Sequence, residues 1–408
     1  MTTVVITGLG TIGGFGAGSE ALAAALARGV AEVSELRDPA GYRDAGAVNA
    51  AALCRRNGED LDLSPWLDPG RARRMSAPSR FAVAAARMAL RDAGLPVERG
   101  PATRAVAMAT TFGAGVFTER LLCEFLDSGP RTASPFLFTD CVASAPAGQI
   151  AIDLQATGPN VTVVQREAGP LLALIEGARE VASGRSDVVL AGHVDEIGTL
   201  VHAVLGKLGA LCAPDEDGMI RPRPFGRTRR GFLAGEGSTV VVLERVADAR
   251  ARGARVLAKI IAHARAFDPT APRADWGRGG AVLASMLRAR LARLGLTPGD
   301  LDAVVSGASG SVRGDSLEAE VLRGLFGANM PPVFAPKAVT GEYGGGNLAA
   351  ALVLLGGASC AQVTAPDMLD PALGIALHDG GLPARARRVL VSSLASGGAA
   401  AWVVLEKP

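Results

Sequence analysis

An α/β protein built from two similar halves is the architecture that this sequence predicts, and three observations carry the prediction. Short β-branched runs alternate with Ala/Leu/Arg-rich stretches of helical period, the pattern of βαβ units around a largely parallel sheet. The same succession starts again after residue 253. The composition, 49% hydrophobic and 20% charged over 408 residues, provides core material for two domains or two halves of one large domain.

In chain order, Thr2–Thr7 (TTVVIT) reads as a buried strand, and 19–28 as a helix with Ser19 as its N-cap. A helix over 80–93 closes at Gly94, a residue suited to the left-handed position after a helix. The strand 161–164, helix 170–183 and strand 187–191 form one βαβ crossover, and the strand 238–244 opens an antiparallel finish. In the second half, a strand at 256–261 leads to a helix at 280–294. A strand at 302–306 and a helix at 315–326 follow. A helix at 347–355 and strands at 388–392 and 400–405 end the series. The halves are predicted to be 1–250 and 251–408. Residues 37–74, rich in Arg, Asp, Gly and Pro, read as a surface excursion and not as a linker.

Charge excludes several classes. Lys and Arg number 42 against 40 Asp and Glu, so no global field favours nucleic acid or a membrane surface. The opening residues lack the basic and apolar regions of a secretion signal, and no apolar run is long enough to span a bilayer. Cys54, Cys123, Cys141, Cys212 and Cys360 are irregularly spaced with no CxxC, which predicts free thiols in a reducing cytoplasm. His193, His202, His263 and His378 are equally dispersed, so no metal site is expected. Gly8-Leu9-Gly10-Thr11-Ile12-Gly13 matches GxGxxG after a strand, the turn of a dinucleotide site. The acidic residues about 20 positions on, Glu32, Glu35 and Asp38, lie in a segment without a strand pattern, and no nucleotide cofactor is inferred.

The segment 224–237 (PFGRTRRGFLAGEG), running into the strand STVVVLE, is far more specific. It resembles the R-P-F-D-x-x-R-D-G-F-x-x-G-E-G segment of β-ketoacyl synthases, with Gly226 and Arg230 in place of the two aspartates. The resemblance covers nearly the whole chain. It includes Ser134-Pro135-Phe136 through Ala147-Gly148-Gln149-Ile150 in the dimer-contact region, Ala191-Gly192-His193-Val194-Asp195 at a strand end, Gly314-Asp315-Ser316-Leu317-Glu318, and Lys337-Ala338-Val339-Thr340-Gly341. What the resemblance implies is the thiolase fold: two βαβαβαββ halves in a five-layered α-β-α-β-α sandwich.

Enzymes of that family acylate a cysteine at a strand-to-helix turn and use two histidines while a malonyl thioester loses carbon dioxide. Here the turn reads Val163-Val164-Gln165-Arg166-Glu167-Ala168-Gly169, and Glu167 takes the cysteine position. The first histidine falls on Gly307 and the second on Glu342. A carboxylate cannot replace a thiolate as thioester carrier, so self-sufficient condensation is excluded on this reading. The pattern resembles the chain length factor, the ketosynthase-like β subunit of type II polyketide synthases, although that family commonly shows Gln where Glu167 stands. The resemblance implies a heterodimer with a catalytic ketosynthase, a chain carried on the phosphopantetheine of an acyl carrier protein, and no cofactor of its own. It further implies that this subunit shapes the tunnel and sets product length.

Two roles stay open for Glu167. It is either a buried polar group tied to the helix N-terminus by backbone N–H groups, or one of an acid–base pair with Glu342. Lys337 is the expected counter-charge, giving a Glu167–Lys337–Glu342 network in a site without its nucleophile. Phe112, Gly115, Phe117, Thr118 and Leu122 align with the family's tunnel segment, where Gly115 and Leu122 replace gate aromatics. Space freed at Gly115 suits a long or rigid chain such as a polyene, unless Phe112 or Phe117 refills it. Ser396 takes the place of a gate phenylalanine in the closing motif. Phe136, Phe138, Ala143 and Gln149 are the candidate partner contacts, within an interface over 112–122 and 134–150. The alternative function is a freestanding thiolase-fold acyl hydrolase or acyltransferase using Glu167 and Glu342.

Overall fold

The computed structural model describes residues 2–37, 48–98 and 102–408. The first half contributes β1 (Val4–Gly13), β2 (Arg104–Thr110), β3 (Asn160–Val164), β4 (Val188–Asp195) and β5 (Gly237–Arg245). The second contributes β6 (Ala258–Phe267), β7 (Ala303–Val305), β8 (Val333–Phe334), β9 (Arg388–Leu394) and β10 (Ala399–Glu406). Both sets adopt one order, β3-β2-β4-β5-β1 and β8-β7-β9-β10-β6. In each, three strands pair in parallel and two close antiparallel. The sets touch where Val4, Val5 and Ile6 pair with Ile260, Lys259 and Ala258.

Ten helices are used below: α1 (Ser19–Arg28), α2 (Ala77–Asp92), α3 (Gly115–Ser128), α4 (Pro135–Asp140), α5 (Ala145–Asp153), α6 (Gly169–Ala182), α7 (Thr199–Lys207), α8 (Gly280–Arg293), α9 (Val312–Phe326) and α10 (Gly346–Leu355). Alternation along the strands sorts them into layers. Ala105, Ala107, Val189 and Val241 of one sheet, with Val305, Val389, Val391 and Val403 of the other, close on α6 and α10. The opposite faces, through Val106, Met108 and Leu190 on one side and Val304, Leu390 and Trp402 on the other, pack on α2 with α5 and on α8 with α9. The result is the five-layered α-β-α-β-α sandwich of the thiolase fold. Helix α10, GNLAAALVLL, carries no polar stripe, and every one of its residues is buried, as a middle-layer helix requires.

Three local expectations need correction. Gly8–Gly13 is not a turn but the body of β1. A Cβ on Gly8 would stand 2.1 Å from the Ala89 carbonyl oxygen, and one on Gly10 1.9 Å from that of Ala85. These glycines admit the backbone of α2 and do not cradle a phosphate. Ser19 is the first residue of α1, and Gly18 occupies the capping position without a side-chain bond. The irregular excursion is partly anchored. Residues 38–47 lie outside the described residues, but Ala51 and Leu53 join Leu36, Ile197 and Ala234 in a small core. The Glu236 carboxylate accepts two bonds from Arg37, at 3.0 and 2.5 Å, and one from the Cys54 amide at 2.8 Å.

Candidate active site

β3 ends at Val164, and α6 begins at Gly169 after four intervening residues. Helix α6 has no side-chain N-cap, so its first amides favour negative charge nearby. Glu167 sits in this turn, yet the bonds to its carboxylate come from elsewhere. Ser396, from the segment between β9 and β10, donates its backbone N–H at 3.1 Å, and its Oγ lies 3.3 and 3.4 Å from the two carboxylate oxygens. Arg166 donates to Ser396 Oγ at 2.9 Å, and Ser393 Oγ donates to the Glu167 carbonyl at 2.5 Å. The expected anchoring by helix amides is therefore replaced by a clamp from the other half of the chain.

Lys337 Nζ lies 2.6 Å from Glu342 Oε1, and the lysine side chain is fully buried. Glu167 belongs to this group through its field and not through a bond to Lys337. Burial pushes the Glu167 carboxyl up to about 7, and the Glu342 charge adds to the rise against the pull of Lys337 and Arg166. A third carboxyl, Glu318 on α9, accepts from Ser306 Oγ at 3.0 Å. Burial raises it too, opposed by the Ser392 and Ser306 hydroxyls and by Lys337. One lysine thus serves three acids.

The sign of the pH effect follows. A carboxyl held near 7 in the fold and near 4.5 in the open chain binds more protons when folded between those values. Its ionisation opposes folding above pH 7, and the penalty disappears as pH falls toward 4.5. Glu167→Gln is expected to stabilise the chain at pH 8 by up to about 3 kcal/mol. The gain should shrink toward pH 5. Urea unfolding of both proteins at pH 5, 6.5 and 8 checks this. A mutant no more stable than its parent at pH 8 would show that Glu167 ionises at no cost.

Gly307, at the first histidine position, follows β7. A Cβ there would stand 3.0 Å from the Ser392 carbonyl oxygen and 3.3 Å from Ser393 Cα, so β9 backbone closes against it. The segment is pinned from below. Asp315 accepts from the amides of Phe225 at 2.8 Å, Ser309 at 3.2 Å and Gly310 at 3.2 Å. Burial nonetheless pushes Asp315 up to about 7.

A cavity of about 800 Å³ opens beside the carboxylates. Glu167, Glu342 and Ser396 form its polar end, with Arg166, Arg230 and Arg313 also on its wall. Leu200, Val204 and Leu208 on or just after α7, with Phe112, Phe232 and Trp276, make the apolar part. No cysteine is among the described residues that line it. Of the expected tunnel residues, Phe112 and Ser396 reach this wall. Gly115 begins α3, and a Cβ there would touch Val201 of α7 at 3.5 Å. Phe117 is half-buried beneath the Arg120 guanidinium, 5.8 Å from the ring centre. Thr118 Oγ1 donates to the Ala114 carbonyl at 2.9 Å, and Leu122 is exposed at the middle of α3. Gly115, Phe117, Thr118 and Leu122 are not on the cavity wall.

Asp195 enters the sequence reading only as the end of the Ala191–Asp195 motif, with no role attached, and Glu196 does not enter it; both position this wall. Asp195 Oδ1 accepts from Thr110 Oγ1 at 2.9 Å and from the amides of Thr111 at 2.8 Å and Phe112 at 3.2 Å. Glu196 accepts from the Val116 amide at 2.8 Å, and burial lifts it to about 7. His193 Nε2 lies 3.2 Å from Asp195 Oδ2 but outside hydrogen-bond geometry. The ring is wholly buried, against the bend at Gly344 and near Gly169, where the N-termini of α6 and α10 converge. The signal was available: two residues apart on a strand, His193 and Asp195 share a face.

A second feature adjoins the site. Helix α3 buries none of its residues. Leu122, Phe125 and Leu126 on it, Phe136 and Phe138 on α4, and Val161 and Val164 on β3 are large exposed apolar groups. β3 pairs only with β2, leaving its other edge open among the described residues. Phe136 and Phe138 are 62% and 63% exposed. Ala143 is half-buried beneath Gly113, and Gln149 donates to Asp140 at 3.2 Å. No described helix is long and apolar enough to cross a membrane. No group of three metal-ligating side chains occurs among the described residues.

This fold and this turn define a protein of the condensing-enzyme class. The model of the β-ketoacyl synthase N-terminal domain matches residues 1–249, and the chain belongs to the β-ketoacyl synthase family. A curated relative, 3-oxoacyl-[acyl-carrier-protein] synthase 2 of Rhizobium meliloti (strain 1021), is 31% identical over 341 residues, 80% of this chain and 78% of its own length. Among solved structures, the ishigamide ketosynthase/chain length factor matches with a TM-score of 0.84 at 26% identity, covering 100% of this chain and 99% of its own. A type II polyketide synthase ketosynthase, bound to a hexaketide and its acyl-carrier protein, matches with a TM-score of 0.86 over 100% and 99% of the chains. At 20% identity, that last likeness concerns the fold alone.

Proposed function

We propose that this chain is a chain length factor: a ketosynthase-like subunit without a nucleophile of its own. It pairs with a catalytic ketosynthase, and the pair elongates chains on an acyl carrier protein by decarboxylative Claisen condensation. The observation that carries the reading is Glu167 at the strand-to-helix turn, clamped by Ser396, in a cavity with no cysteine among its described lining residues. The open edge of β3 and the exposed rings of α4 support a partner on that side. The likeness to the ishigamide ketosynthase/chain length factor supports the reading. On this reading 1–250 and 251–408 are the two ketosynthase-like halves, Gly307 and Glu342 mark the lost histidines, and the pair works in the cytoplasm.

In the same scheme Gly115 sets product length through Val201, which lines the cavity and which a Cβ at 115 would meet at 3.5 Å. A glycine behind Val201 lets that wall yield to a long, rigid chain such as a polyene. Gly115→Phe is expected to shorten the longest carrier-bound product while leaving the pair assembled. Mass spectrometry of the carrier reads the change, and an unaltered product distribution would remove Gly115 from the tunnel.

The whole reading is tested by reconstitution. The chain, a catalytic ketosynthase that co-purifies with it, the carrier and malonyl thioester together should give elongated carrier-bound chains, and neither subunit alone should. Elongation or acyl-thioester hydrolysis by the isolated chain would overturn it.

A further inference from the structure

The far end of α6 holds a second cavity, unrelated to the carboxylates. Arg179 lies ten residues along α6 from its first residue, Gly169, about 15 Å away at the helical rise. The cavity measures about 430 Å³ and lies between β6, α8 and the last turn of α6. Four guanidinium groups line it, those of Arg179, Arg265, Arg290 and Arg293, together with the His263 imidazole. Its remaining wall is apolar, with Met286, Leu287 and Trp402.

The positive charges are poorly matched. Glu176 is the carboxylate paired with this group, 2.5 Å from Arg265 and 3.3 Å from Arg179. Arg290 donates through Nε to the His263 carbonyl at 3.0 Å, which fixes the side chain. Its terminal nitrogens have no partner among the described residues, and neither has Arg293. Arg290 and Arg293 lie in the last turn of α8, and Arg179 lies in that of α6. The carbonyl ends of those helices offset about half a charge each. Like charges gathered in a concave, half-enclosed space repel one another and concentrate anions there. His263 registers the field: burial and the charges of Arg290, Arg179 and Arg265 all hold its imidazole below the usual range, against the single opposing charge of Glu176.

We propose that this cavity is an anion site for a phosphate group, with Arg290 and Arg293 as its principal donors. Guanidinium forks match the oxygens of phosphate in pairs, and the apolar wall beside them suits the organic part of a phosphate ester. Free phosphate and a phosphate ester share the chemistry recognised here.

The test uses the full-length chain, with inorganic phosphate and phenyl phosphate as probes in calorimetry, and NMR of the His263 ring. Saturable binding is expected, with His263 titrating at higher pH once the anion is present. Sodium chloride at equal ionic strength should not reproduce the shift. Tighter binding of phenyl phosphate would assign the site to an ester, and equal binding to free phosphate; either supports the proposal. Arg290→Ala/Arg293→Ala should weaken binding at least tenfold with unchanged thermal unfolding. Arg293→Lys, which keeps the charge and loses the fork, should weaken it less. Absence of saturable binding, binding that survives the double substitution, or a His263 shift equal in chloride would overturn the proposal, leaving the arginines to serve the helix ends.

Discussion

Lys337→Met is expected to lower the stability of the chain by about 3–5 kcal/mol at pH 8. Methionine keeps most of the stem, so packing changes little. What is lost is the cation 2.6 Å from Glu342. That carboxylate, with Glu318 on the other side, would then be buried without a counter-charge, and the Glu342 charge already raises Glu167. Removing one partner of a buried pair costs far more than replacing both, because the surviving charge cannot return to water. The double variant Lys337→Met/Glu342→Leu should therefore recover much of the loss, and the single variant should recover as pH falls. Urea unfolding at pH 8 and 6 reads both effects. A loss below about 1 kcal/mol for Lys337→Met would mean that water reaches the carboxylates and screens them.

Phe136→Asp/Phe138→Asp is expected to abolish co-purification with a catalytic ketosynthase and, with it, product formation. The isolated chain should fold unchanged, since both rings already face solvent at 62% and 63% exposure. About two thirds of each phenylalanine's roughly 200 Å² is open to a partner, worth roughly 3 kcal/mol at 25 cal/mol per Å². Two rings exchanged for two carboxylates lose that term and add the desolvation of charge, enough to raise a dissociation constant by several orders of magnitude. Gel filtration of the co-expressed pair and a carrier elongation assay give the readout. An intact pair would move the interface away from α4.

The layer order was legible because the middle-layer helix and the paired strands are apolar in runs that only burial explains, as in GNLAAALVLL. β2, RAVAMAT, was overlooked because its alanines and terminal arginine look helical, and sheet pairing on both sides overrides that preference. Helix α3 is a different case: Phe117, Leu121, Leu122, Phe125 and Leu126 recur at helical spacing, but the family motif read over 113–122 drew the reading to single positions, and the apolar stripe faces out of the fold and not into its core. At the site, the positions of Glu167, Glu342 and Lys337 could be found by motif. The Ser396 clamp could not, since 229 residues separate its partners. Glu318 was present in a matched motif, but its burial beside Lys337 arises only when α9 packs under β7. The glycines of β1 misled for a physical reason, since close helix packing and phosphate cradles both ask for a residue without a Cβ.

The central claim is that the attacking sulfur belongs to another polypeptide. The purified, partner-free chain incubated with radiolabelled acyl thioester, then denatured and washed, measures this directly. No label should remain on it, whereas in the reconstituted pair the label should reside on a cysteine of the ketosynthase subunit. An acyl group covalently retained by this chain alone would contradict the account.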